Sequence, residues 1–270
     1  MSRLASACLL AGMMTAASVG TAVAAETEQN DQYAWLEEVA GDQPLAWVKE
    51  QNAKAEARLA QSPAFAQMEA SIREVLDSDA KIPGVEKIGE YYYNFWKDKQ
   101  HERGLWRRTT LAEYRKASPQ WETVIDLDAL NKAEGENWVW HGVECLRPEY
   151  DRCLIALSRG GADADVTREF DLASRSWVTD GFFRPESKGG LGWVDRDSVF
   201  VYTDFGDGSM TTSGYPRVAK LWKRGTPLAS AQVVYEGKPD DMYIAAVHDD
   251  TPGFERNLVS RTLAFYNNEL

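Results

Sequence analysis

Around residues 81–87 the hydrophobic period of this chain changes, and the change limits the folds open to it. Up to "KIPG" (81–84) apolar residues recur at helical spacing: Leu45, Val48, Ala55 and Leu59, then Phe65, Met68, Ile72, Val75 and Leu76. Asp42 is placed to cap the first helix, and Pro44 falls in its first turn, where a missing N–H is tolerated. Ser62 and Pro63 repeat that start signal. From Lys87 onward the helical period is gone. "KIGEYYYNFW", "GLWRRTT", "WETVIDL", "NWVWHGVECL", "DRCLIALS", "VTREFDL", "RSWV", "DSVFVYTDF", "RVAKLWKR", "AQVVYEG" and "DMYIAAVHD" are short, rich in β-branched and aromatic residues, and broken by Gly, Pro, Asn and Asp. Such runs predict an all-β sandwich, barrel or propeller.

A loose repeat chooses among these. Blocks of roughly four strands begin near Lys87, Asn137 and Gly189, and another opens near Asp241. Their spacing is that of propeller blades, about 40–50 residues. "REFDLASRSWV" (168–178) reads as the outer hairpin of a blade, and "LWKRGTPLASAQVVYEG" (221–237) repeats its logic. The expected fold is mainly β: an incomplete β-propeller of three blades plus the start of a fourth over 83–270, preceded by a helical arm over 25–82.

The first 24 residues belong to neither part. One cation (Arg3), a long run of apolar and small residues and "AVA" at 22–24 have the pattern of a secretory signal peptide, so export to a periplasm or beyond is expected. A membrane anchor fits less well, because the run is rich in Ala, Gly, Ser and Thr and lacks a cationic flank. No later stretch is long and apolar enough to span a bilayer. The formal net charge of −12 disfavours nucleic-acid binding, since an acidic surface repels phosphates.

Of three cysteines, Cys8 lies in the leader. Cys145 and Cys153 flank the turn-rich "LRPEYDR" between two strand-like runs. In an oxidising compartment such a pair can bridge, but spacing alone leaves a disulfide and two free thiols both open. Two cysteines without a histidine partner do not make a zinc site. Asp163, Asp165, Asp204 and Asp207 lack the alternating pattern of a calcium loop and read as turn-forming. The rings of "YYYNFW" alternate faces at strand period, which favours core packing over carbohydrate stacking. "TDFGDG" (203–208) has no kinase context around it. No cofactor or metal is expected.

The order of features is more specific than any one of them. "DQYAWLEE", Trp47 and "QN" (51–52) resemble the opening of the prolyl oligopeptidase family of serine peptidases, where D-P-Y-x-W-L-E is usual; Gln32 stands in place of that Pro. "GEYYYNFWKDKQHERGLWRR" (89–108) resembles the family's first blade, and "VIDLDALNKAEGENWVW" (124–140) its transition to the second. "SRGGADADVTREFDL", "DGFFRPESKGGLGWVDRDSVFVYTDFG" and "SGYPRVAKLWKRGTPL" resemble a bacterial, exported branch. The resemblance covers about residues 31–270. It implies that the helical arm packs on a C-terminal α/β-hydrolase domain and that the propeller shields the active site, admitting only short peptides.

The family's chemistry is not in this chain. No serine sits in G-x-S-x-G, the nucleophile elbow; the nearest approach, Ser209 in "GDGSMTTSG", has the wrong spacing and reads as a turn. His101, His141 and His248 are in a charged loop, a strand and near a strand end, and none matches a family triad position. The expectation is therefore a chain inactive alone: the non-catalytic front of a serine endopeptidase whose hydrolase domain is absent, with short peptides and that domain, in cis or in trans, as partners. Two other readings stand beside it. One is a stand-alone exported binding or scaffold module, which would have to cover exposed blade edges. The other is a substrate-binding or inhibitory propeller unrelated to peptidases.

Overall fold

The computed structural model describes residues 31–270 apart from Val39; the leader expected at 1–24 lies outside the described residues. They fall into two units, 31–73 and 74–270.

The first unit is helical. A 3₁₀ turn at Ala34–Glu37 precedes helix α1 (Asp42–Leu59). Gly41, with extended φ/ψ of −69° and 146°, is the N-cap, and Asp42 is the first helical residue rather than the cap expected of it. There its charge meets the positive end of the helix dipole instead. Helix α2 (Pro63–Asp77) starts as read: the Ser62 Oγ accepts the Phe65 N–H at 3.1 Å, and Pro63 occupies the first turn. Trp47 of α1 meets Trp35 edge-on, with ring centroids 6.1 Å apart, and lies 6.4 Å from Tyr33. The aromatic residues of "DQYAWLEE" thus pack on α1. The apolar stripe of α2 stays open, with Met68 63% and Leu76 65% exposed. Among the described residues no helix is long and apolar enough to cross a membrane.

The second unit is a succession of antiparallel sheets. The first sheet comprises β1 (Glu86–Ile88), β2 (Tyr91–Trp96), β3 (Leu105–Thr109) and β4 (Glu122–Asp126), paired in that order. The second comprises β5 (Trp138–Cys145), β6 (Arg152–Arg159), β7 (Asp165–Asp171) and β8 (Ser176–Trp177), with β9 (Phe183–Ser187) also pairing β7. The third holds β10 (Gly190–Asp195), β11 (Ser198–Tyr202), β12 (Val218–Lys223) and β13 (Gln232–Glu236). The fourth holds β14 (Tyr243–Asp249), β15 (Arg256–Ala264) and β16 (Asn267–Glu269). The protein is therefore mainly β, built as part of a propeller preceded by helices. Among the described residues no sheet closes on itself.

Two helical inserts break the expected all-β run. Helix α3 (Leu111–Tyr114) is capped by Thr110, whose side chain accepts the Glu113 N–H. Helix α4 (Leu127–Glu134) is capped by Asp126 accepting the Ala129 N–H, and ends at Gly135 with φ 69°. Cap, turn of helix and left-handed glycine are a complete local signal, and they lie within the expected transition from the first blade to the second.

Core packing fills the gaps between successive sheets. Between the first two lie Tyr93, Trp106, Trp138, Ile155 and Phe170, joined by the partly buried Phe95 and Trp140. The rings of β2 alternate as strand geometry requires: Tyr91, Tyr93 and Phe95 join this core, while Tyr92 and Trp96 take the other face. Leu154, Phe182, Trp193, Val199 and Trp222 fill the next gap, and Phe200, Ala219, Ile244 and Ala246 the last.

One charged pair ties the second and third sheets, and another lies within the second. Glu169 of β7 receives two hydrogen bonds from Arg224 at 2.8 and 3.1 Å, and its Oε2 also accepts the Phe182 N–H. Asp165, read as turn-forming, is instead a buried residue of β7 that pairs with the buried Arg184 and accepts the Thr167 hydroxyl at 3.1 Å. A buried carboxylate survives in a strand only with such partners, and sequence spacing does not reveal them. Asp204 does form a turn, accepting the Gly206 N–H and the Ser209 hydroxyl.

Candidate functional site

The first strands of all four sheets contribute to one cavity of about 670 Å³. Ile88 comes from β1, Val143 and Glu144 from β5, Trp193 from β10, and His248 and Asp249 from β14. The convergence follows from the chain order: each sheet begins with its first strand, β10 packs beside β5 and β14, and the segments after those strands border the same opening.

Glu144 is the acid there whose pKa is raised. Its Oε1 accepts the Trp193 N–H at 3.1 Å, and its backbone oxygen accepts the Trp193 indole N–H at 3.0 Å. Glu144 lines the cavity and is exposed there. Desolvation by the surrounding strands raises its pKa; the nearby Asp250 charge adds to the rise, while Trp193 and Arg147 oppose it.

The rim is charged on both signs. Arg147, in the segment after β5, lies 3.4 Å from Asp250, in the segment after β14, and both are exposed. Arg196, after β10, holds Asp151 with contacts of 2.9 and 3.0 Å. Cys145 and Cys153 are register partners on β5 and β6, their sulfurs 1.97 Å apart in a disulfide that closes the segment carrying Arg147.

The histidines occupy separate places. His101 is bonded through Nδ1 to Asp98 at 2.8 Å, in the connection between β2 and β3. His141 of β5 is bonded through Nδ1 to Asp165 at 2.8 Å. His248 lines the cavity and is held by Asn257 at 2.8 Å, across the β14–β15 pair. None of these three bonds reaches a serine. Ser209 is buried in its turn: its hydroxyl accepts the Phe205 N–H at 2.8 Å and lies 2.6 Å from the Gly206 oxygen. Among the described residues no three His, Cys, Asp or Glu side chains gather as a metal site requires.

Sequence reading singled out the two cysteines at this rim but not Glu144, Arg147 or Asp250. The available signal is "LRPEYDR", a charged connection following a first strand. What the arrangement offers chemically is a charged cavity bordered by several sheets.

Residues 16–253 match the family model described as "Prolyl oligopeptidase, N-terminal beta-propeller domain". An uncharacterized peptidase of Sinorhizobium fredii is 38% identical over 250 residues, covering 91% of this chain and 34% of that protein. One from Rickettsia prowazekii is 32% identical over 244 residues, covering 86% and 34%. Among solved structures, a post-proline cleaving enzyme from Rickettsia typhi superposes with a TM-score of 0.79 at 32% identity, covering 87% of this chain and 35% of that one. The chain thus spans 34% of the length of each curated relative.

Proposed function

Since the chain belongs to the prolyl oligopeptidase family through its N-terminal β-propeller region, we propose that it is the non-catalytic propeller of a serine endopeptidase. In this role it gates access of short peptides to an α/β-hydrolase domain supplied in cis or in trans. The observation that carries the reading is the 670 Å³ cavity to which the first strands of all four sheets contribute. The absence of a G-x-S-x-G serine from the sequence agrees with it. The exposed stripe of α2 supports docking of the arm on that domain, because an unpartnered apolar helix face of this kind marks an interaction surface. Export is part of the proposal: the 1–24 leader pattern and the Cys145–Cys153 pair both fit an oxidising compartment.

The test is an assay of the purified chain alone, then mixed with the separately expressed hydrolase domain of the Rickettsia typhi relative. The chain alone should leave a short proline-containing chromogenic peptide intact. With the hydrolase domain, it should suppress cleavage of a long unstructured peptide more than cleavage of the short one. Hydrolysis by the chain alone, abolished by a serine-directed inhibitor, would overturn the proposal. So would equal effects on long and short peptides.

A further inference from the structure

The face of the first sheet opposite its shared core carries a second cavity, of about 650 Å³, lined in part by Pro83, Trp96, Arg107, Tyr114, Pro119 and Trp121. We propose that it is a carboxylate-binding pocket for peptides, with the Arg107 guanidinium as its anchor. The inference stands apart from the gating role.

Arg107 sits in the middle of β3, with Asn94 of β2 and Thr123 of β4 as register partners. Its guanidinium carbon lies 4.1 Å from the Trp96 ring centroid and 4.2 Å from that of Trp121. Its Nε–H donates to the Asn94 Oδ1 at 3.0 Å. The two indoles take its faces and Asn94 takes its Nε, so the donors left over are on the Nη1–Nη2 edge. That edge is the part of a guanidinium that grips a carboxylate with two parallel hydrogen bonds.

Among the described residues no carboxylate pairs with Arg107. Two acids, Asp98 and Asp79, also line the cavity and act on Arg107 through their charge without a hydrogen bond to it. Asp98 is committed elsewhere: its Oδ2 accepts the Trp96 indole N–H at 2.9 Å, and its Oδ1 accepts the Gln100 and His101 N–H groups. Lys81 adds positive charge, its Nζ 4.8 Å from the Trp96 ring, and Lys116 also borders the cavity. Burial lowers the Arg107 pKa to about 10, so it remains charged at neutral pH. A partly desolvated cation that Asp98 and Asp79 stabilise only through space, with no carboxylate in direct contact, is incompletely compensated. Contact with aromatic faces offsets part of that, and a carboxylate would offset more. The protein is acidic overall, so this local donor edge has to act against a repulsive background field. The ligand class is therefore a single planar carboxylate, either the C-terminus or an acidic side chain of a peptide.

The full chain is titrated with three short alanine-based peptides, followed by tryptophan fluorescence and calorimetry. One ends in a free carboxylate, one is its C-terminal amide, and one is an amide bearing a single glutamate. Binding of the free acid but not the plain amide supports the proposal. Binding of the glutamate amide as well extends the pocket to side chains, and binding of that peptide in place of the free acid assigns it to side chains. Arg107→Lys keeps the charge but loses the fork, and should weaken binding by at least about tenfold, the order expected for a lost charge-assisted hydrogen bond. Arg107→Met should abolish binding; if that variant fails to fold, Arg107→Lys, checked by its thermal melt, still decides. Equal binding of acid and amide, no binding of either acid at millimolar concentration, or unchanged affinity in Arg107→Lys would overturn the proposal.

Discussion

Two stretches of this chain carry a clear apolar period and meet opposite fates. On α2 the stripe through Met68, Ile72, Val75 and Leu76 is exposed. In the first sheet the apolar face built on Tyr93 and Trp106 is closed, each residue keeping 3% of its surface. Periodicity fixes which face of an element is apolar; it does not say what covers that face. The β2 and β3 faces find a partner in the sheet that follows them in the chain, because a connection through α4 brings β5 alongside. The α2 stripe has no such neighbour supplied by local chain order, and it stays exposed.

The comparison can be broken most severely at Trp106. Its ring lies 4.9 Å from Tyr93, 5.4 Å from Trp140 and 6.5 Å from Phe170. Trp106→Ala should cost about 4 kcal/mol in a denaturant titration, the usual range for truncating a buried tryptophan. A cost below about 1 kcal/mol would mean that this face is far looser than described. Next in size is Arg224→Met, which leaves the Glu169 carboxylate buried without its cation. The expected loss is about 3 kcal/mol, and it would show that closure of the sheets depends on charge as well as on rings.

A smaller effect is expected at Asp171. Hydrogen bonds from Ser174, together with the nearby Arg152, hold its pKa below the ordinary 3.8 against the opposing effect of burial. The native state therefore prefers the ionised form. Its contribution is present above that ordinary value and is lost as pH falls through the lower native value. Asp171→Asn should be less stable than the wild type by about 1 kcal/mol at neutral pH. The two melting curves should converge in strong acid; a gap that is constant with pH would contradict this account. The smallest effect belongs to the helix. Ile72→Glu should change the stability of the chain by no more than about 0.5 kcal/mol, while weakening its association with a hydrolase domain in a pull-down. A large fall in melting temperature would show that the stripe is covered in solution.

Much of the architecture is legible because its signals are local. Sheets expected to open near Lys87, Asn137, Gly189 and Asp241 open at Glu86, Trp138, Gly190 and Tyr243. Alternation and turn residues are written into a few consecutive positions. Strand β9 is different: "FRPES" carries a proline and little alternation, and it joins the second sheet only through its pairing with β7. The site was less legible still. Glu144 finds Trp193 across 49 residues and Arg147 finds Asp250 across 103, and a single sequence contains no sign of such partners. Arg107 is ambiguous for the same reason: a strand arginine flanked by polar and aromatic residues looks solvated until Trp121, from the next strand's approach, closes over it.

The segment between Cys145 and Cys153 is restrained in two chemically distinct ways. At its base a covalent bond holds β5 to β6, and near its start Arg147 leans on Asp250 through an exposed ion pair. Ionic strength acts on the second and leaves the first intact, because an exposed charge pair is screened over roughly 8 Å at physiological salt. Thiol reductants act first on the other. The segment bordering the cavity is thus held by two separately addressable restraints, so salt and thiol reductants would each loosen it by a different amount while leaving the other restraint in place.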